Sequence, residues 1–324
     1  MEKIKEISNI DENAGRARPE MAVLPKTRTN RRINLWNRYK YCYLLLLPGI
    51  VYFLLFHYVP MLGMLIAFKD YKITKGILGS EWAGFKWFEL LFAAEDFWLA
   101  LKNTILISFY KLIFGFPVPI VLALLLNEVL KPSMKRIIQT IVYFPHFVSW
   151  VILGGIMFTL FSSSTGLLSL FGLHTSPLTQ PETFRSVLVA SDIWKEAGWG
   201  TVIYMAAISG INPELYEAAR MDGANRFDAM RYVTIPSIRT TIYILLILKT
   251  GHILNAGFDQ VFVLYNALVY QVADILDTYV YRVGISVGRF SLAAAAGLFK
   301  SVVGLMLVLA TNWIIRRLGG LGLW

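Results

Sequence analysis

The sequence predicts an all-α integral membrane protein whose chain crosses the bilayer six times. Three observations carry that fold class. Of 324 residues, 56% have hydrophobic side chains and only 16% are charged, more apolar surface than a soluble domain of this length buries. The apolar residues gather into six runs of roughly 20 or more, each long enough to span a hydrocarbon core of about 30 Å as a helix with its backbone groups bonded internally. The basic residues fall in the connections between runs and favour one side, which is the signal that orients membrane proteins.

Residues 1–40 are polar, contain Pro19 and Pro25, and close on Arg31, Arg32, Arg38 and Lys40, the composition of a mobile basic tail. The run at 41–68 exceeds the apolar core of a signal peptide and lacks a small-x-small cleavage site, so it is assigned as the first crossing. The others are expected at 100–126, 137–161, 187–209, 240–261 and 291–315, making 41–324 one six-helix transmembrane domain. Residues 69–99 mix Trp82, Phe85, Trp87 and Trp98 with charges of both signs, as an interfacial or docking surface would. Ser162, Ser163, Ser164, Gly166 and Pro177 mark 162–186 as a loop. Asp192, Lys195 and Glu196 are too charged for lipid and are expected to face protein or water.

The tail, the 131–136 connection, the 211–236 connection and the Arg316-Arg317 end hold about 19 Lys and Arg, against about 7 on the other side. The excess marks the cytoplasmic face, so both termini and the 211–236 connection are expected inside the cell. The same distribution accounts for the net charge of +10 without nucleic acid, for which a basic stripe with aromatic platforms would be needed.

Residues 211–236 read as two short helices presented to another protein. Asn212 caps a helix whose first turn holds Pro213, where a missing N–H costs nothing, and Glu214, whose charge suits the helix N-terminus. Gly223 fits a left-handed stop, and Asn225 with Asp228 restarts a second helix that Pro236 is expected to end.

The string Glu217-Ala218-Ala219, then Gly223, then Val233-Thr234-Ile235-Pro236 resembles the EAA loop of permease subunits in binding-protein-dependent ABC importers. Gly115-Phe116-Pro117, Leu125-Leu126-Asn127-Glu128, the 144–150 string FPHFVSW, Phe258-Asp259-Gln260 and the 277–282 string DTYVYR resemble the subset serving complex oligosaccharides, of the aldouronate and alginate type. The resemblance implies a six-helix subunit of the type I (MetI-like) fold in the bacterial cytoplasmic membrane. It implies pairing with a second, similar permease, two copies of an ABC ATPase that bind ATP and Mg, and a periplasmic or lipid-anchored solute-binding protein that delivers an oligosaccharide. Coupling to the ATPase is assigned to Glu217, Ala218, Ala219, Asp222, Gly223 and Pro236.

Polar residues at bilayer depth face a bundle interior or a wet cavity. On the fifth crossing Lys249, His252, Asn255 and Asp259 recur at three- or four-residue steps and so form a slanting polar stripe on one helical face. Lys249 lies about a dozen residues past Pro236, near mid-membrane at about 1.5 Å per residue. This stripe either lines the sugar path or packs against the second subunit. Lys300, between Gly297 and Gly304, either lines the path or pairs with an acid on the partner. Lys111 is expected to find a buried partner or to snorkel.

Other chemistries find no support. The four histidines are scattered without metal-ligand spacing, and Cys42 is the lone cysteine. No phosphate-binding G-x-x-x-x-G-K-[ST] loop is present, so ATP hydrolysis is expected on a separate subunit and no cofactor on this chain. Gly284-Ile285-Ser286-Val287-Gly288 matches a nucleophile elbow in letters only, since no histidine follows His252. An ion-coupled secondary transporter is the competing class; intramembrane charges permit it, but neither an inverted repeat nor a broken-helix pair is evident from the letters.

Overall fold

The computed structural model describes residues 28–162, 166 and 175–317, with side chains from Tyr39 onward. The chain before Arg28, most of the 163–174 stretch and the residues after Arg317 lie outside the described residues.

The first compact unit ends at Met61. Its helix α1, Arg28–Phe53, starts well inside the segment expected to be a tail, because a long apolar helix extends through flanking residues at little further cost once nucleated. Arg31, Arg32, Arg38 and Lys40 thus belong to the helix. A π turn, Leu54–Tyr58, follows, closed by Val59 N–H donating to the Leu54 carbonyl. It widens the helix just ahead of Pro60, which has no N–H and would otherwise press on the carbonyl four residues back.

The second unit starts at Leu62. A 3-10 stretch, Leu62–Phe68, leads into a small antiparallel hairpin of β1, Lys69–Asp70, and β2, Glu81–Trp82, an addition to the all-α expectation. Helix α2, Lys86–Ala93, precedes α3, Glu95–Gly115, and α4, Pro117–Glu128; the last two together form one 34-residue apolar span.

The third expected crossing is not one straight helix. Helix α5, Pro132–Tyr143, runs through a 3-10 turn at Phe144–Phe147, and α6, Trp150–Leu160, leaves at 99° to it. Pro145 cannot donate to the ladder, Val148 and Ser149 are extended, and the Ser149 hydroxyl accepts the Ile152 N–H at 3.3 Å as an N-cap. The bend that a proline at 145 predicts is therefore present, and it is sharp enough to split the run into two helices.

Helix α7, Pro181–Ser209, is 29 residues long and begins ahead of its apolar run. After the 211–236 connection come α8, Pro213–Met221, and α9, Arg226–Ala229, then a π turn, Met230–Thr234, and α10, Ile235–Gly251. Pro236 does not end the second helix: the π turn absorbs it as at Pro60, with Ile235 N–H donating to the Met230 carbonyl, so Arg226–Gly251 is one 26-residue span. That span stops at Gly251, earlier than expected. The chain then turns through Gly257 into the short helices α11, Phe258–Leu264, α12, Tyr270–Ala273, and α13, Leu276–Tyr281, and ends in the 28-residue α14, Phe290–Arg317.

Among the described residues, four helices are long and apolar enough to cross a membrane, and the bent pair makes a fifth. Helix α7 has the length of a sixth but carries Asp192, Lys195 and Glu196 midway. Its core face is nevertheless apolar: Phe184 and Leu188 pack with Ile107, Val261 and Ile275, while Tyr204, Met205 and Ile208 pack with Ala123, Leu126 and Ile238. A third cluster joins Phe97 and Ala100 to Leu276, Leu292, Ala295 and Ala296, where alanines on α14 allow close helix approach.

Candidate functional site

The 211–236 connection is a braced knuckle. Asn212 Oδ1 accepts the Glu214 N–H at 3.1 Å, and the far end of α8 closes with Ala224 N–H on the Ala219 carbonyl at 2.9 Å. That closure needs Gly223 at φ +82°, a left-handed conformation that favours glycine. Asn225 and Asp228 form the expected reciprocal cap: Asn225 Oδ1 accepts the Asp228 N–H at 3.0 Å, and Asp228 Oδ2 accepts the Asn225 N–H at 3.2 Å. The Tyr216 and buried Thr234 hydroxyls meet at 3.0 Å and tie α8 to the π turn. Glu217, Ala218, Asp222, Gly223 and Pro236 are exposed and Ala219 is half-buried. Beside them Met221 is 88% and Phe227 65% exposed, apolar surface on an otherwise polar element.

The second candidate region lies where α10 ends. Lys249, His252 and Asn255 do gather, lining one cavity of about 220 Å³ with Lys111, Asp192 and Glu196. They are not a stripe on one helix, because α10 stops at Gly251 and His252 begins an irregular turn. Asp259 sits on α11 and lines a different cavity of about 550 Å³ with His146 and Lys195. Glu196 lines both.

Most charges here are matched within the chain. Lys111 Nζ lies 2.9 Å from Asp192 Oδ1 and donates to the Ala256 carbonyl at 2.9 Å and to Gln260 Oε1, so the buried-partner reading of Lys111 holds. Gln260 returns two hydrogen bonds at 2.8 Å, to the Leu188 carbonyl and Ser191 Oγ. Gly257, at φ +95°, lets Lys111 in: a Cβ there would stand 2.8 Å from its Nζ. Lys195 Nζ donates to the His146 carbonyl at the break between α5 and α6 and lies 3.4 Å from Glu196. Glu196 meets His146 Nδ1 at 2.9 Å, and the His146 ring stacks on Trp199 at 4.7 Å. Lys249 and Asp259, both exposed, take part in no salt bridge among the described residues.

Lys300 Nζ bonds within the chain to Asp277 Oδ1 at 2.5 Å, an acid in the first turn of α13.

Sequence reasoning missed the bracket that holds residues 266–282 against α3. Asn103 Nδ2 donates to the Gln271 and Asp274 carbonyls at 3.0 and 3.1 Å, while its Oδ1 accepts from Arg185 Nη2 at 2.7 Å. The Thr104 hydroxyl accepts the Leu276 N–H at 2.8 Å. Arg282 bonds the buried Asp274 at 2.7 Å, with the rings of Tyr270 and Tyr279 at 5.2 and 5.6 Å from its guanidinium. Burial, and next the Asp274 carboxylate, push the Tyr270 phenol well above the usual tyrosine range. The signal was an Asn-Thr pair inside an apolar run.

None of these groups forms a nucleophile with a base and an orienting third group. What the arrangement offers is a polar wall of mostly paired charges, in which, among the described residues, Lys249 and Asp259 take part in no salt bridge.

Comparison with known proteins agrees. Residues 115–320 match the family described as binding-protein-dependent transport system inner membrane component. Protein LplB of Bacillus subtilis (strain 168) is 50% identical over 291 residues, 88% of this chain and 92% of its own. The polygalacturonan/rhamnogalacturonan transport system permease protein YteP of the same strain is 46% identical over 310 residues, 94% of this chain and 97% of its own. A chain in the crystal structure of a bacterial ABC transporter involved in the import of the acidic polysaccharide alginate is 44% identical and superposes with a TM-score of 0.80, covering 89% of this chain and 99% of that one. With a match across more than half its length and relatives this similar end to end, the chain belongs to the inner-membrane permease components of binding-protein-dependent transport systems.

Proposed function

We propose that this permease and a second, similar one form the translocation path for an acidic oligosaccharide, delivered by an extracytoplasmic binding protein and driven by two copies of a separate ATPase. The permease itself is a transport component and not an enzyme. The observation that carries the cargo assignment is Lys249, an exposed ammonium on the cavity wall whose neighbouring cation, Lys111, is already matched by Asp192. An unmatched positive charge at that depth is costly unless water or an anion meets it. His252 and Asn255 beside it supply hydrogen bonds suited to sugar hydroxyls. Two similar proteins support the reading, since YteP is named for polygalacturonan and rhamnogalacturonan, and an alginate transporter 44% identical to this chain was crystallised with an alginate pentasaccharide-bound periplasmic protein.

The knuckle supports the mechanical half. It is rigid, exposed and continuous with α10, so an ATPase that grips Glu217 and the apolar patch of Met221 and Phe227 would move α10 and the end at Lys249 with it. ATP and Mg would bind on that ATPase. Coupling arises because the two ATPase states hold the knuckle differently. The test is cargo-stimulated ATP hydrolysis in the reconstituted complex, with oligouronates and neutral oligosaccharides of equal length supplied on the binding protein. Stimulation by the acidic series alone is expected; stimulation by the neutral series alone rejects the cargo assignment, and ATP-independent uptake rejects the coupling.

A further inference from the structure

The hairpin of β1 and β2 is pinned to the end of a membrane span. Ser291 Oγ, at the start of α14, donates to the Lys69 carbonyl at 2.6 Å and accepts the Tyr71 N–H at 3.1 Å, and the rings of Tyr71 and Phe290 meet edge to face at 5.8 Å. The apolar run that opens the chain's spans ends at Phe68, one residue before β1. The hairpin is therefore fixed at the level where hydrocarbon gives way to headgroups.

Its tip, 71–80, is held by side chains as well as by turn hydrogen bonds. Lys69 Nζ donates to the Ile77 carbonyl at 2.8 Å and the Leu78 carbonyl at 3.3 Å, and Ser80 Oγ donates to the Gly76 carbonyl at 2.6 Å while accepting the Lys72 N–H at 3.1 Å. The Lys72 carbonyl takes two N–H groups, from Lys75 and Gly76. These carbonyls are satisfied within the tip and can enter an apolar medium without leaving an acceptor unmet. Around these bonds the tip presents Leu78 at 90% and Ile73 at 71% exposure. Lys72 and Lys75 bracket Ile73 in the chain, Lys75 lying 3.3 Å from Glu81 Oε1 on β2, and the exposed Trp82 and Phe85 lie at the hairpin's base. Apolar tip, lysine collar and aromatic base are in the order in which a membrane interface presents acyl chain, phosphate and headgroup boundary.

We infer that the 71–80 tip dips into the bilayer interface, with Ile73 and Leu78 among the upper acyl carbons and Lys72 and Lys75 at lipid phosphates. A protein partner for this tip is the competing occupant. The lysine collar around apolar residues and the anchoring at a span end favour lipid.

The test uses the full chain in its complex, reconstituted in nanodiscs of phosphatidylcholine and phosphatidylglycerol, with Cys42→Ser and a single Leu78→Cys carrying an environment-sensitive fluorophore. Lipids with a nitroxide near the top of the acyl chain should quench the label by about twofold, and aqueous iodide should barely affect it. Leu78→Glu with the label moved to Ile73→Cys should lift the tip and reverse that pattern; Leu78 is so exposed that folding should be unchanged. Iodide quenching without nitroxide quenching overturns the inference. So does a label that responds to the solute-binding protein and not to the nitroxide lipid, which would make the tip a protein-docking surface.

Discussion

Lys111 on α3 and Asp192 on α7, 81 residues apart in the chain, meet at 2.9 Å inside the bundle, and Lys111 also bonds the Ala256 carbonyl and Gln260 Oε1, where the chain enters α11. Three helical elements are thus tied together by one buried ammonium, which is the joint on which the cavity wall depends.

Removing one partner of that joint should cost more than removing both. Lys111→Met leaves the Asp192 carboxylate and Gln260 Oε1 without their shared donor and is expected to lose about 3–5 kcal/mol, whereas Lys111→Met with Asp192→Leu should recover at least half of that. Thermal unfolding of the two variants in detergent, compared with Asp192→Leu alone, measures the coupling.

Lys249 makes the opposite prediction, because no acid among the described residues forms a salt bridge with it. Lys249→Ala should leave stability within about 0.5 kcal/mol and raise the half-saturating concentration of an oligouronate by about tenfold, the scale of about 1.4 kcal/mol. A neutral oligosaccharide should be indifferent. Lys249→Arg should restore the acidic cargo; equal losses for both cargo types would mean that the ammonium packs against the second permease and not against sugar.

At the knuckle, Gly223→Val forces a branched side chain into φ +82° at a cost of about 1–3 kcal/mol, and Glu217→Lys reverses an exposed charge. Both variants should insert and assemble normally and yet lose most cargo-stimulated ATP hydrolysis, read against basal hydrolysis in the same vesicles. Full stimulation by both would remove the knuckle from the coupling path.

The bracket on α3 is a stability feature. Arg282→Ala strands the buried Asp274 carboxylate and should destabilise the chain by about 3 kcal/mol. Arg282→Lys keeps the charge but loses the planar contact with Tyr270 and Tyr279, so it should recover only part. Unfolding midpoints of the three proteins give the order directly.

How much of this could be read from the letters depends on how local the cause was. The caps at Asn212 and Asn225 and the left-handed turn at Gly223 are set by residues within four positions of each other, and they stand as the sequence reading has them. The end of α10 at Gly251 was invisible, because Ile253 and Leu254 prolong the apolar run while the chain has already left the helix to bring Gly257 under Lys111. A bend at Pro145 is legible, since a proline interrupts the helical ladder, but the continuity of apolar residues hid its size of 99°. Pro236 misled for a different reason: a proline ends a helix only if the turn ahead of it stays tight. The matching of Lys300 with Asp277 and of Lys111 with Asp192 needed three-dimensional neighbours, which spacing in one dimension does not supply.

The widened turn at Met230–Thr234 has a bearing on the cavity some distance away. One surplus residue in a helical ladder swings everything beyond it by about 100° around the axis. The rotational phase of α10, and with it the wall that Lys249 meets, is therefore dictated about four turns upstream, beside the knuckle. Deleting a single residue there, with the helix otherwise intact, would point the ammonium at a different neighbour, so the address of the cavity's free charge is written at the opposite end of the rod.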